Sequence, residues 1–211
     1  MDNATRSERS RNAALDAALA IIARDGPGRL TLDAIARESG LSKGGVMHQF
    51  RTKEAVLKAL LEREMARFEE FSTPYRAKAR AESANPELAT EIATVREAVN
   101  APNSAALALL AAMVENPDLM AMPRASDEKT IAAIKAEATD PDLAMLRWAA
   151  ARGLLLGALF GMSPLPKAER ERLFERLLDD SQWSTLEKPT RSRSVKAAAP
   201  AAKTARPRKR A

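Results

Sequence analysis

Cysteine is absent from the 211 residues. Its absence excludes a disulfide framework and thiolate metal sites. Histidine occurs once, at position 48, so the chain has neither the ligand set of a zinc centre nor a second imidazole for acid–base work. Aromatic residues make up only 4% of the sequence, and no run of Val, Ile, Thr and aromatics alternates over five or more positions, so a sheet is not expected. Long apolar runs are missing too. The most apolar stretch, 149–162, falls short of the roughly 20 residues that cross a bilayer. Arg147 and Arg152 lie beside and within it, and a buried helix is the better expectation. The opening MDNATRSERSRNA has no apolar core of the kind a secretory signal needs, which predicts a cytoplasmic protein with no membrane partner.

Ala, Leu, Arg and Glu dominate what is present, and all four favour helix. The fold class expected is all-α. The net charge of +6 hides a strong asymmetry. Residues 1–53 carry nine basic and six acidic side chains, residues 54–187 sixteen and twenty-two, and residues 188–211 nine and none. Two basic ends flank an acidic middle, a distribution suited to a polyanion held by the ends. The last segment, rich in Ala, Pro, Ser, Lys and Arg, cannot build a core. It serves either as a salt-sensitive DNA attractor or as a solubilising extension.

Periodicity predicts about nine helices. The first spans Arg6 to Arg24 and is stopped by Gly26-Pro27-Gly28. Short helices follow at Leu32–Ser39 and Lys43–Gln49, capped by Thr31 and Ser42, with Gly40 left-handed between them. Thr52 caps a long helix from Lys53 to beyond Glu70. Asn85-Pro86, Asn116-Pro117 and Asp140-Pro141 each place a capping side chain before a proline. They predict helices near 86–99, 117–137 and 141–162, with another at 103–115. Lys167–Leu178 closes the series. The domain division that follows is 1–53, 54–183 and a basic tail at 184–211.

Residues 31–50, TLDAIARESGLSKGGVMHQF, join two short helices through a turn of three or four residues, which is helix-turn-helix spacing. Ile35, Ala36, Leu41 and Val46 would pack the pair. The second helix would turn Ser42, Lys43, Gly44, Gly45, Met47 and His48 outward. Two glycines in one turn cost about 1 kcal/mol each relative to Ala, so helix stability does not account for them. Close approach of the backbone to phosphate at a helix N-terminus does. Gly40-Leu41-Ser42-Lys43-Gly44 also fits the nucleophile elbow G-x-S-x-G, but that motif follows a strand, and here a helix precedes it.

Thr31, Ile35-Ala36, Gly40-Leu41-Ser42, Lys43-Gly44, Phe50 and Lys53-Glu54 together resemble the DNA-binding domain of the TetR (tetracycline-repressor) family. The resemblance covers about the first quarter of the chain. The remainder is similar in plan, a set of further helices ending in Ser163-Pro-Leu-Pro and an amphipathic segment. The resemblance implies a homodimer that sets two recognition helices into successive major grooves of a pseudo-palindromic operator in double-stranded DNA. Thr31, Ser42 and Lys53 would meet phosphates. Lys43, Gly44 and Gly45 would lie at base edges or the backbone, and His48 at a phosphate or base. Met47 departs from the family's usual tyrosine and loses that hydroxyl's phosphate bond, though it can meet a thymine methyl.

The resemblance also implies a dimer interface built from the last two long helices. Gly153, Gly157 and Gly161, four residues apart, are its candidates, with Leu173, Phe174 and Leu177 as companions. Close packing inside one subunit is the alternative for the glycines. Phe68, Met113, Met120, Trp148, Arg152 and Leu155 are candidates for a partly apolar effector pocket, since Met adapts to irregular ligands and Arg152 could hold a polar head. They could equally be plain core. No cofactor and no enzymatic activity are expected. The function anticipated is a ligand-released transcriptional repressor. The alternative is an architectural DNA-binding protein driven by its basic tail.

Overall fold

The computed structural model describes residues 3–100 and 104–188, and among them are nine α-helices and no strand. Helix α1, Asn3–Asp25, starts three residues before the expected Arg6. It buries Ala14, Leu15, Ala18, Ile21 and Ile22, a stripe at three- and four-residue spacing. Gly26 ends it at φ 84°, and a single 3-10 turn, Pro27–Arg29, leads to the buried Leu30.

Helices α2 (Leu32–Ser39), α3 (Lys43–Gln49) and α4 (Lys53–Glu82) follow in quick succession. Each begins on a hydroxyl cap. The side-chain oxygens of Thr31, Ser42 and Thr52 accept from the N–H groups of Ala34, Gly45 and Ala55 at 3.0, 3.0 and 3.1 Å. Such a cap contributes about 1 kcal/mol. Gly40 takes the left-handed conformation expected of it, at φ 71°. Helix α4 continues through Pro74, which has no N–H to give to the preceding turn.

The body consists of α5 (Pro86–Asn100), α6 (Ser104–Glu115), α7 (Ala121–Glu137), α8 (Pro141–Leu159) and α9 (Lys167–Leu178). The three proline starts behave differently. Asp140 caps α8 by accepting from Asp142 and Leu143 N–H. Asn116 makes no side-chain cap bond, and Pro117–Met120 winds as a 3-10 turn, so α7 begins at Ala121 rather than at 117. The start of α5 is satisfied from across the bundle: Glu137, at the end of α7, accepts from Glu87 N–H (3.0 Å) and Leu88 N–H (2.9 Å). Burial pushes the Glu137 carboxyl above its ordinary range, against the pull of those two N–H groups. Helix α8 stops at Leu159 rather than 162. Gly161 turns left-handed at φ 64°, and Met162 and Ser163 return their N–H groups to the Gly157 carbonyl.

Two hydrophobic cores organise the chain. The first joins α1, α2 and α3 to Val56, Leu57, Ala59 and Leu60 of α4 and to Ala108, Leu109 and Ala112 of α6. It therefore draws on residues well past position 53. The second packs Leu88, Ile92 and Val95 of α5 against Ile134, Ala144, Ala151, Phe174 and Leu177. The long segment beyond residue 188 lies outside the described residues.

Candidate nucleic-acid interface

Helices α2 and α3 pack through Ile35, Ala36 and Val46, all buried, with Leu41 resting on the same cluster. Phe50 is buried at the end of α3, under the Arg11 guanidinium 4.8 Å from its ring centre. Gln49 donates to the Ser7 hydroxyl at 3.0 Å, tying α3 to α1. With one side of α3 so held, its other side is presented outward. Ser42, Lys43, Gly44, Met47 and His48 are exposed, Met47 at 47%, and Gly45 is half-buried.

The chemistry of this face fits an anion. Thr31 and Ser42 use a lone pair for the cap bond, which leaves each hydroxyl proton free to donate. A Cβ on Gly44 would meet nothing within 4 Å, so the space over it is open; one on Gly45 would come within 3.2 Å of the Ser42 hydroxyl. Gly45 thus lets its own N–H reach the cap, while Gly44 keeps the outer surface low. Lys43 is ion-paired with Asp33 at 2.9 Å, and Lys53 with Glu115 at 3.8 Å. Glu115, on α6, had no signal in the sequence that linked it to this face.

The expected effector residues are half-buried and lie on different elements: Phe68 on α4, Met113 on α6, Met120 in the turn before α7, and Trp148, Arg152 and Leu155 on α8. The structure joins two of them. The Arg152 guanidinium lies 4.9 Å from the centre of a Trp148 ring. Arg152 also pairs with Asp127 of α7 and, at 3.5 Å, with Glu91 of α5. Burial raises the Glu91 carboxyl, opposed by Arg152. The Trp148 indole lies beside the Glu91 carboxylate, and the Nε of Arg152 is buried without a hydrogen-bond partner. None of the six residues lines the open cleft of about 350 Å³ between Tyr75, Lys78, Ser83, Asp180 and Ser181.

The expected dimer residues divide. Phe174 and Leu177 are buried inside the single chain, against α5 and α8, so they are core rather than surface: α9 turns its apolar side inward. Leu173 is half-buried. Gly161 belongs to the turn after α8 and has lost the register of the other two glycines. Gly157 meets Ser163 at 3.3 Å from a built Cβ, a contact within the chain, whereas Gly153 faces open space. Around Gly153 and Ala149, on the helix expected at the interface, runs an apolar stripe whose large members the sequence did not single out: Leu146, Leu156 and Phe160 are exposed beside Ala149 and Ala150, Leu146 at 67% and Phe160 at 51%. Its signal was the apolar character of 149–162 on every side, since a helix apolar all round needs partners on every side.

Two family descriptions match the chain. Residues 14–60 match "Bacterial regulatory proteins, tetR family", and residues 85–182 match "Tetracyclin repressor-like, C-terminal domain". The chain belongs to the TetR family. It is accordingly a DNA-binding transcription regulator of the helix-turn-helix class. Solved TetR-like structures share the fold at low identity. A TetR-family member from Streptomyces coelicolor A3 is 19% identical at a TM-score of 0.62, covering 80% of this chain and 97% of its own. The multidrug binding protein EbrR in complex with malachite green is 23% identical at 0.60, covering 79% and 96%. SmeT in complex with triclosan is 20% identical at 0.60, covering 86% and 96%. No curated protein matches the sequence. Among the described residues no helix is long and apolar enough to cross a membrane.

Proposed function

We propose that this TetR-family regulator is a homodimeric repressor that acts by binding, not catalysis, and leaves its operator when a small molecule enters its helical body. The head at 1–53 reads double-stranded DNA, the body at 54–183 dimerises and binds the effector, and the basic segment at 184–211 adds charge. The observation that carries the reading is the outward face of α3. Lys43, Gly44, Met47 and His48 project from a helix whose opposite side is fixed by Val46 and Phe50, with Thr31, Ser42 and Lys53 flanking it for phosphates. Dimerisation is supported by the exposed Leu146, Leu156 and Phe160 around Gly153, too apolar a patch to leave in water. Effector control is supported by the relatives crystallised with malachite green and triclosan. In this chain the half-buried Trp148–Arg152 pair, with the Arg152 Nε left without a partner, is the candidate place for a partly apolar effector.

Selection from a random duplex library, with Lys43→Ala, His48→Ala and Gly44→Ala alongside, tests the proposal. Enrichment of one palindromic motif, weakened in all three variants, is expected. Gly44→Ala is the sharpest arm. It should stabilise the free protein by up to about 1 kcal/mol and still bind DNA less well, because the methyl group intrudes only when a duplex is present. Binding without sequence preference would move the reading to an architectural protein driven by its basic tail.

A further inference from the structure

Helix α6 ends on an acid. Glu115 sits in its last turn, where no basic residue accompanies it, and a carboxylate at a helix C-terminus is disfavoured by the macrodipole. Its position is therefore explained by something outside α6. The carboxylate reaches across to the head, where it lies 3.8 Å from the Lys53 ammonium and 3.5 Å from where a side chain on Gly28 would begin. Lys53 is the first residue of α4, directly after the Thr52 cap, so ammonium and helix N-terminus present positive charge together. Helix α6 is held against this spot by Ala108, Leu109 and Ala112, which are buried in the core of the head.

We infer that Glu115 is an affinity-setting residue: in the free protein it occupies Lys53, and DNA phosphate must displace it before Lys53 can bind the duplex. The inference rests on reading Lys53 as a phosphate contact. Glu115 acts through Lys53 and touches no DNA itself. Because it stands at the end of α6, any shift of α6 relative to the head changes how much positive charge Lys53 offers. A pair this exposed is weak, so its competition is worth a few-fold in affinity, not orders of magnitude.

The test measures binding of the full chain to a mixed-sequence duplex between about 50 and 200 mM salt. The variants are Glu115→Gln, Lys53→Met and the double substitution, with Asp118→Asn as a charge-matched control three residues further on. Lys53→Met alone tests the underlying reading: it should lower the salt slope by about 0.9, and an unchanged slope removes Lys53 from the interface. Given that result, Glu115→Gln should tighten binding about two- to fivefold, beyond Asp118→Asn, with the gain gone in the Lys53→Met background. Glu115→Asp, which keeps the charge but withdraws it, should fall between. A gain no larger than the control's, a gain that persists without Lys53, or a loss of affinity in Glu115→Gln would each overturn the inference.

Discussion

Arg147 is 3% exposed, and its guanidinium donates to the Leu177 carbonyl at 2.6 Å and to Asp180 at 2.9 Å. Asp180 in turn accepts from the Ser83 hydroxyl at 2.6 Å and from Ala84 N–H at 3.1 Å. One arginine on α8 thus caps the end of α9 and, through Asp180, fixes the link between α4 and α5. Arg147→Met should destabilise the chain by about 3 kcal/mol in urea unfolding, the low end for breaking a buried pair because Asp180 remains partly wet. An unfolding midpoint unchanged from the parent would remove the clamp from the account. Burial would raise the Asp180 carboxyl, but the Ser83 and Arg147 bonds outweigh it and hold the group below its ordinary 3.8. With the folded value depressed, the unfolded chain binds the proton first as pH falls. The contribution of Asp180 is therefore full above about pH 4 and is lost as pH falls through its folded value. Asp180→Asn should flatten the acid limb of the stability curve below pH 4 and leave its shape at neutral pH unaltered.

Among the helices, α8 has two working sides. Ala144, Arg147 and Ala151 face the core, and Leu146, Ala150, Gly153, Leu156 and Phe160 face outward. Gly153 separates the two roles cleanly, since a side chain there meets nothing in the single chain but would intrude between two copies in the proposed dimer. Gly153→Leu should leave the folded subunit intact, with helix propensity gained by up to about 1 kcal/mol. It should shift the protein from dimer to monomer in analytical ultracentrifugation. A dimer that survives would place the second copy elsewhere. The outward side of α8 was only partly legible in the sequence. Gly153 and Gly157 stood out by spacing alone, but spacing could not tell that α9 points Phe174 and Leu177 inward. Helix periodicity fixes which residues share a face, not which face meets the core.

Across the whole molecule, charge is laid out along the chain and the cores are not. Acidic side chains outnumber basic ones by six in 54–187, while residues 188–211 carry nine basic and no acidic groups. Truncation after Lys188 should weaken binding to all duplexes alike and reduce the salt slope, while leaving the preferred motif unchanged. Loss of the motif itself on truncation would favour the architectural alternative. The head is not independent of the body, however. Helix α6 packs into its core, and Lys53 meets Glu115 across the same seam. This seam is where the body helices touch the head in the described residues.

Local chemistry was enough to specify that these helices form and, for α2 and α3, where they begin and end. The caps Thr31, Ser42 and Thr52 and the left-handed Gly40 act within three or four residues of themselves. Helices α2 and α3 accordingly have the expected limits, and the family likeness of residues 31–54 could be read directly. The start of α7 differs because a cap-like Asn116 did not form its bond, a choice between local conformations that sequence leaves nearly degenerate. Everything that depends on two distant segments meeting was decided by the tertiary structure: Glu137 on the start of α5, Arg147 on the end of α9, Glu115 on Lys53, and the exposed side of α8. Periodicity and capping are short-range, whereas these partners are brought together by how buried surfaces fit, and no residue carries that information alone.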